Sequence, residues 1–328
     1  SSPASTGHVI SNNKFLNLGT YDAASTIDNW GGGVLLYNSQ YAAIKDNCMT
    51  DVRIGVQTGN FQRANPGTIA SQVISDNTIE ARKLGIFDNL FNGPASPYTL
   101  DNNTITGKYD VNETTNWTGI LLASLYQGVH TVSDNNINAT AITIPKTGIS
   151  VWNDQSAPLI SGGTITGVGI GINVNNFEGY PSAGSDAGNT SATISGTTIA
   201  SASIAGIKVH DNPSNTNGAT VTATIGNSNT ITGSPVGVLV TGSDATATIM
   251  GNNFTGNQVD IQSAANTGVV TASPNNNLSG STFGIENLSS TVINGTLNYW
   301  NNPSGPGPIG SGTGVNVTTL VDFCPWLD

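Results

Sequence analysis

Short apolar pulses set against tight polar corners recur along this chain at intervals of 24 to 34 residues. The corner unit reads I-S-N-N-K-F at Ile10–Phe15, I-K-D-N-C-M at Ile44–Met49, I-S-D-N-T-I at Ile74–Ile79 and L-D-N-N-T-I at Leu100–Ile105. It returns at Val132–Ile137, Ile160–Ile165, Ile194–Ile199 and Ile249–Phe254, with one extra residue at Ile225–Ile231 and a looser copy at Val292–Leu297. Between corners lies a second recurring element: Gly33–Leu36, Gly55–Thr58, Gly85–Asp88, Gly119–Leu122, Gly148–Val151, Gly171–Val174, Gly206–Val209 and Gly237–Val240. Each copy alternates with the strand period of two. Gly/Pro/Asn-rich segments of uneven length follow these strands and read as loops on one side of the molecule.

A self-similar period of this length predicts a coil of stacked units rather than separate domains. With three short strands per turn and about ten turns, the pattern predicts an all-β, single-stranded parallel β-helix. The corner chemistry agrees. Gly, Asn and Asp tolerate the left-handed backbone that a sharp corner needs, so Asp46, Asp76 and Asp134 read as turn formers. An Asn repeated at one corner also predicts a hydrogen-bonded side-chain ladder between coils. One position breaks the pattern: Asp88 occupies an inward slot that the other copies fill with Leu, Val or Thr.

Composition narrows the function classes. Only 9% of the 328 residues are charged and the net charge is −11, which argues against a nucleic-acid partner because phosphate binding needs basic patches. No apolar run is long enough to insert into a membrane. The acidic balance, few lysines and many Asn and Thr suit an extracellular or cell-surface protein. The sequence start lacks the features of a signal peptide, so a mature or excised form is expected.

These repeats resemble the right-handed parallel β-helix of the pectin-lyase-like superfamily, in particular its bacterial secreted and surface proteins. The resemblance implies a β-helix over residues 1–297. The final stretch, with Leu297–Pro306 and Val321–Leu327 rich in aromatics, Pro and Gly, resembles the closing segment of such proteins. Residues 298–328 are therefore expected to pack on the last coils. The fold hosts lyases, hydrolases, adhesins and inert stalks, so it does not by itself assign an activity.

The chain carries no G-x-S-x-G, H-E-x-x-H, P-loop or C-x-x-C motif. In β-helix polysaccharide enzymes the substrate lies along a strand face, so the outward positions of the Gly-Ile-x-Val strands are the natural candidates. There Tyr37, Trp152 and Asn175 would contact a sugar, with Asp154, His210 and Asp211 as the catalytic candidates. A hydrolase would need paired carboxylates. A lyase would need acids holding Ca²⁺ and a Lys or Arg base, and no other metal or cofactor is expected. The basic residues argue against both, since Lys208 stands alone in the second half of the chain. Trp117, Trp300 and Trp326 read as loop or cap packing. Thr78, Thr104, Thr164, Thr198, Thr230 and Thr296 align in one outward column with Asn136 and Asn253, more simply a stabilising ladder than a binding face.

Cys48 falls in that same column and Cys324 in the closing segment. Coils stack about 4.8 Å apart, which separates the two thiols by roughly 40 Å. They read either as two free thiols or as a disulfide between neighbouring molecules. An uncovered first coil would also invite a second copy to stack end to end. The leading expectation is a non-catalytic structural or adhesive protein that assembles with itself. The alternative is a polysaccharide lyase, glycosidase or glycan-binding module using the Trp152 face.

Overall fold

The computed structural model describes residues 8–19, 32–37, 42–59, 72–89, 98–113, 115–123, 130–154, 156–176, 189–212 and 218–328. Every strand pairing among them is parallel, and each strand pairs with its counterpart one repeat away. This is a right-handed parallel β-helix, the hand that parallel crossovers adopt.

Twelve strands, from His8–Ser11 to Val321–Asp322, form the first sheet. The second sheet starts with Lys14–Leu16 and the third with Gly32–Tyr37. Two long strands, Cys48–Gly59 and Thr78–Asn89, run through the corner between these two sheets and fuse them into one 17-stranded ladder. The bend between them is absorbed by register shifts between Met49 and Ile54.

The corner after the first sheet behaves as its sequence demands. Asn12, Asp46, Asp76, Asn102 and Asp134 have φ between 51° and 58°, and Gly162, Gly196 and Gly251 take the same role. The asparagine that follows Asp46, Asp76, Asn102, Asp134 and Gly251 turns inward and is buried. Asn47 Nδ2 donates to Asn77 Oδ1 (3.0 Å), Asn77 to Asn103 (3.0 Å) and Asn103 to Asn135 (2.9 Å). Each Oδ1 also accepts the backbone N–H of the preceding corner, as Asn103 does from Asn77 at 3.1 Å. The same Nδ2 groups cap strand carbonyls, Asn77 on Ile44 at 2.9 Å. The ladder stops at Gly163 and Thr197, then resumes through Asn229, Asn252, Asn276 and Asn298.

Inside, three columns of Ile, Val and Leu fill the bore. One column runs Ile44, Ile74, Leu100, Val132, Ile160, Ile194, Ile225 and Ile249, all at most 1% exposed. The glycine opening each third-sheet strand is required by packing. A Cβ on Gly85 would lie 2.4 Å from the Gly119 carbonyl oxygen and 2.5 Å from Ile105.

The threonine column forms as expected from Cys48 through Thr78, Thr104, Asn136, Thr164, Thr198 and Thr230 to Asn253. Thr296 is not in it. The next two rungs are Asn277 and Tyr299, and Thr296 instead closes a turn on Asn294 Oδ1 at 2.8 Å. Trp117 is likewise not loop packing. It opens the third-sheet strand Trp117–Ala123, is fully buried, and donates Nε1–H to the Ala81 carbonyl at 3.0 Å. Residues 298–328 continue the coil: Trp300 fills the bore, Val317 pairs with Ile285, and Val321 extends the first sheet beside Ile293.

The corner ladder makes a direct prediction. Asn103→Ala strands buried groups on both sides, and each unsatisfied group costs about 1–3 kcal/mol. The half-exposed first rung should matter less. Denaturant or thermal unfolding should show a large drop in midpoint for Asn103→Ala and a small one for Asn13→Ala.

Candidate functional site

The outward face of the third sheet departs most from the repeat. Most copies carry Gln, Ser, Asn, Lys or Glu at the outward slot and Leu35 and Leu239 stand singly, whereas two adjacent rungs carry Phe87 and Leu121. These two side chains are nearly buried and form a separate apolar cluster with Ala123, Leu84 and Trp152. They floor a cleft of about 490 Å³. Its rim is supplied by hydroxyls and amides of Thr115, Asn116, Thr118, Thr147, Ser150 and Asn173, with Lys83 at one end.

One wall comes from the segment that includes residues 108–113 and 115–116, and three basic residues hold it in place. Arg53 forms a buried bidentate pair with Glu113. Arg82 Nη1 lies 3.2 Å from Asp110, and Lys108 Nζ lies 3.1 Å from Asp51. Lys146 caps the carbonyls of Ala139 and Ile142 at 3.0 and 2.7 Å. These cations therefore serve the scaffold.

The outward residues beyond Trp152 continue along the same face. Asn175 and then His210 follow it in register, while Asn173 and Lys208 follow Ser150. His210 Nδ1 lies 2.6 Å from Thr241 Oγ1, and burial together with the Lys208 charge holds its pKa below the usual imidazole value. The two candidate acids sit elsewhere. Asp154 is fully buried, its carboxylate accepting the Ser156 N–H at 2.8 Å. Asp211 is buried in the adjoining turn, accepting from Asn176 Nδ2 at 2.7 Å and from the Asp244 N–H at 3.2 Å. Neither lines the cleft. Tyr37 ends its third-sheet strand, and its side chain lies outside the described residues. Trp152 lines the cleft; Asn175, His210, Asp154 and Asp211 do not.

Phe87 and Leu121 were not among the sequence-based candidates. Their signal is a broken alternation in two consecutive copies: G-I-F-D and G-I-L-L each place an apolar residue at the outward slot, a break that Leu35 and Leu239 show only singly. The cysteines stand apart from this face, and both thiols are exposed and unbonded within the chain.

Asp88 lies in the bore, between Thr58 and Leu122. Thr58 Oγ1 donates to Asp88 Oδ1, while Asp88 Oδ2 and the Tyr98 hydroxyl have no hydrogen-bond partner among the described residues. Tyr98 stacks on His130 with ring centroids 5.3 Å apart. Burial pushes Asp88 up to about 7, with the Thr58 hydrogen bond opposing it. Burial also pushes Asp154 up to about 7, reinforced by the Asp88 charge.

One family matches part of the chain. The model of a protein family of unknown function, DUF1565, covers residues 5–141. That family is known for a parallel β-helix-like fold, in agreement with the coil described above. No curated protein and no solved structure matches the chain.

The buried acids predict a pH dependence. Both folded-state pKa values lie above the ordinary 3.8, so the unfolded chain ionises first as pH rises. Stability should therefore fall between about pH 4 and 7 and stay low above that, each acid contributing on the order of 4 kcal/mol. Thermal unfolding should show a higher midpoint at pH 5 than at pH 8. Asp88→Leu, which restores the residue type of the next rung, should raise the pH 8 midpoint by several degrees and flatten the profile. An unchanged profile in Asp88→Leu would assign the effect to other groups.

Proposed function

We propose that this chain is a non-catalytic, extracellular adhesive β-helix that binds polysaccharide along the outward face of its third sheet. The cleft floored by Phe87, Leu121 and Trp152 carries this reading. A pyranose ring offers an apolar face and a rim of hydroxyls. An apolar floor of Phe87, Leu121 and Trp152, bordered by amide and hydroxyl groups and Lys83, is the complementary surface. The rod suits a polymer, because its rungs repeat at about 4.8 Å and extend the face well beyond one sugar. The placement of Asp154 and Asp211 in buried turns favours binding over hydrolysis, which needs two carboxyl groups flanking the scissile bond.

Affinity electrophoresis of the folded chain in gels containing soluble polysaccharides tests the proposal. Retardation is expected with at least one polymer, without release of new reducing ends. Trp152→Ala should weaken it about tenfold or more while leaving the circular dichroism unchanged. Full retention of binding in Trp152→Ala would place the glycan elsewhere.

The exposed thiols favour self-association as a second property. Cys324 of one molecule would bond Cys48 of the next and link rods end to end. Electrophoresis without reductant should give a ladder that collapses on reduction and is absent in Cys48→Ser. Monomer under both conditions would remove the disulfide-linked version.

A further inference from the structure

Three successive rungs beside the cleft carry a grid of six outward residues: Ser150 and Trp152, then Asn173 and Asn175, then Lys208 and His210. Rungs are spaced about 4.8 Å apart, and residues two apart along a strand about 6.6 Å. Three polar groups of this grid lack partners among the described residues. Asn173 Oδ1 and Asn175 Nδ2 are buried without a hydrogen bond, and Asn175 as a whole is 95% buried, being only 5% exposed. Lys208 is half-buried and makes no ion pair or hydrogen bond with the described residues.

The contrast with the first half of the chain is what gives this meaning. There Arg53, Arg82 and Lys108 each have a carboxylate partner. Lys208 has none. The nearest acid along the chain, Asp211, is turned into its own corner, and Glu286 is three rungs away and held by Gln262. Leaving a cation partly desolvated and two amides unsatisfied costs free energy that a ligand of the right chemistry would recover.

We propose that this grid recognises an anionic substituent, a carboxylate or a sulfate, on the bound glycan. The inference rests on the glycan-binding reading above and specifies its ligand. Lys208 Nζ and Asn175 Nδ2 are the donors for the anion, Asn173 Oδ1 accepts from a ring hydroxyl, and the neighbouring sugar stacks on Trp152. Burial depresses the Lys208 amine, and the His210 imidazole is depressed by burial and by Lys208. A bound anion favours the charged form of both, so affinity rises as pH falls toward the imidazole range. The chain's net charge of −11 repels polyanions in general, so retention of an acidic polymer requires a specific site.

The test runs the full chain through native gels containing dextran or galactomannan as neutral polymers, alginate or hyaluronate as carboxylates, and dextran sulfate as the sulfate. Retardation by an acidic polymer, stronger at pH 6 than at pH 8, is expected. Lys208→Met should weaken it about tenfold while leaving any neutral retardation and the circular dichroism unchanged. Carboxylate polymers acting without sulfate, or the reverse, identify the substituent. Retardation by neutral polymers alone, or acidic retardation that Lys208→Met leaves intact, overturns the anion site and spares the glycan-binding reading. Silence across all the polymers overturns both.

Discussion

The buried corner asparagine is the interaction on which the rest of this molecule depends. A coil that turns sharply every few residues exposes backbone N–H and C=O groups at each corner, and burying them unpaired is costly. Asn47, Asn77 and Asn103 solve this by binding their own strand, the preceding coil and the next asparagine together, and Asn135 ends the run on its own strand and the preceding coil. The ladder fixes the rung spacing. Once the spacing is fixed, isoleucine falls on isoleucine and each outward position becomes a column. The ladder is interrupted at Gly163 and Thr197, in the coils that carry Asn173 and Lys208 on the opposite sheet. The binding grid thus occupies the part of the rod with the least corner reinforcement.

The repeat makes a uniform rod, and local function comes from residues that leave it. Residues 108–113 and 115–116 depart from the coil, and the segment is pinned by the ion pairs of Arg53, Arg82 and Lys108. Such pairs contribute modestly at the surface, but Arg53 with Glu113 is buried, where losing one partner is expensive. The pinned excursion gives the flat strand face a wall. Phe87 and Leu121 then form a sheltered apolar floor rather than an exposed patch.

Asp88 is the opposite kind of departure. It places a carboxylate in a bore filled largely by branched aliphatic side chains, next to Thr58 and within electrostatic reach of Tyr98 and Asp154. Desolvation dominates at such a position, and one short hydrogen bond does not offset it. The rod accordingly trades stability for a polar segment in its interior, on the coils directly beneath the cleft floor.

Much of this was legible in the residues alone. The corner motif, the alternating Gly-Ile-x-Val strands and the small corner residues are local requirements, so sequence determined the parallel coil, its three strands per turn, the left-handed Asp and Asn corners and the asparagine ladder. It also marked Trp152, Asn175 and His210 as lying on one face, since a period converts position into direction. Other features depend on which rungs become neighbours and on where irregular segments return. Trp117 entered the core because its strand begins two residues before the Gly119 that opens the motif. Thr296 left its column because the last coils are shorter. Asp154 and Asp211 became turn anchors because their backbone bends inward immediately after the strand. The cleft itself was decided only by tertiary structure: Glu113 meets Arg53 across 60 residues of sequence, and no local pattern encodes a wall built by that contact.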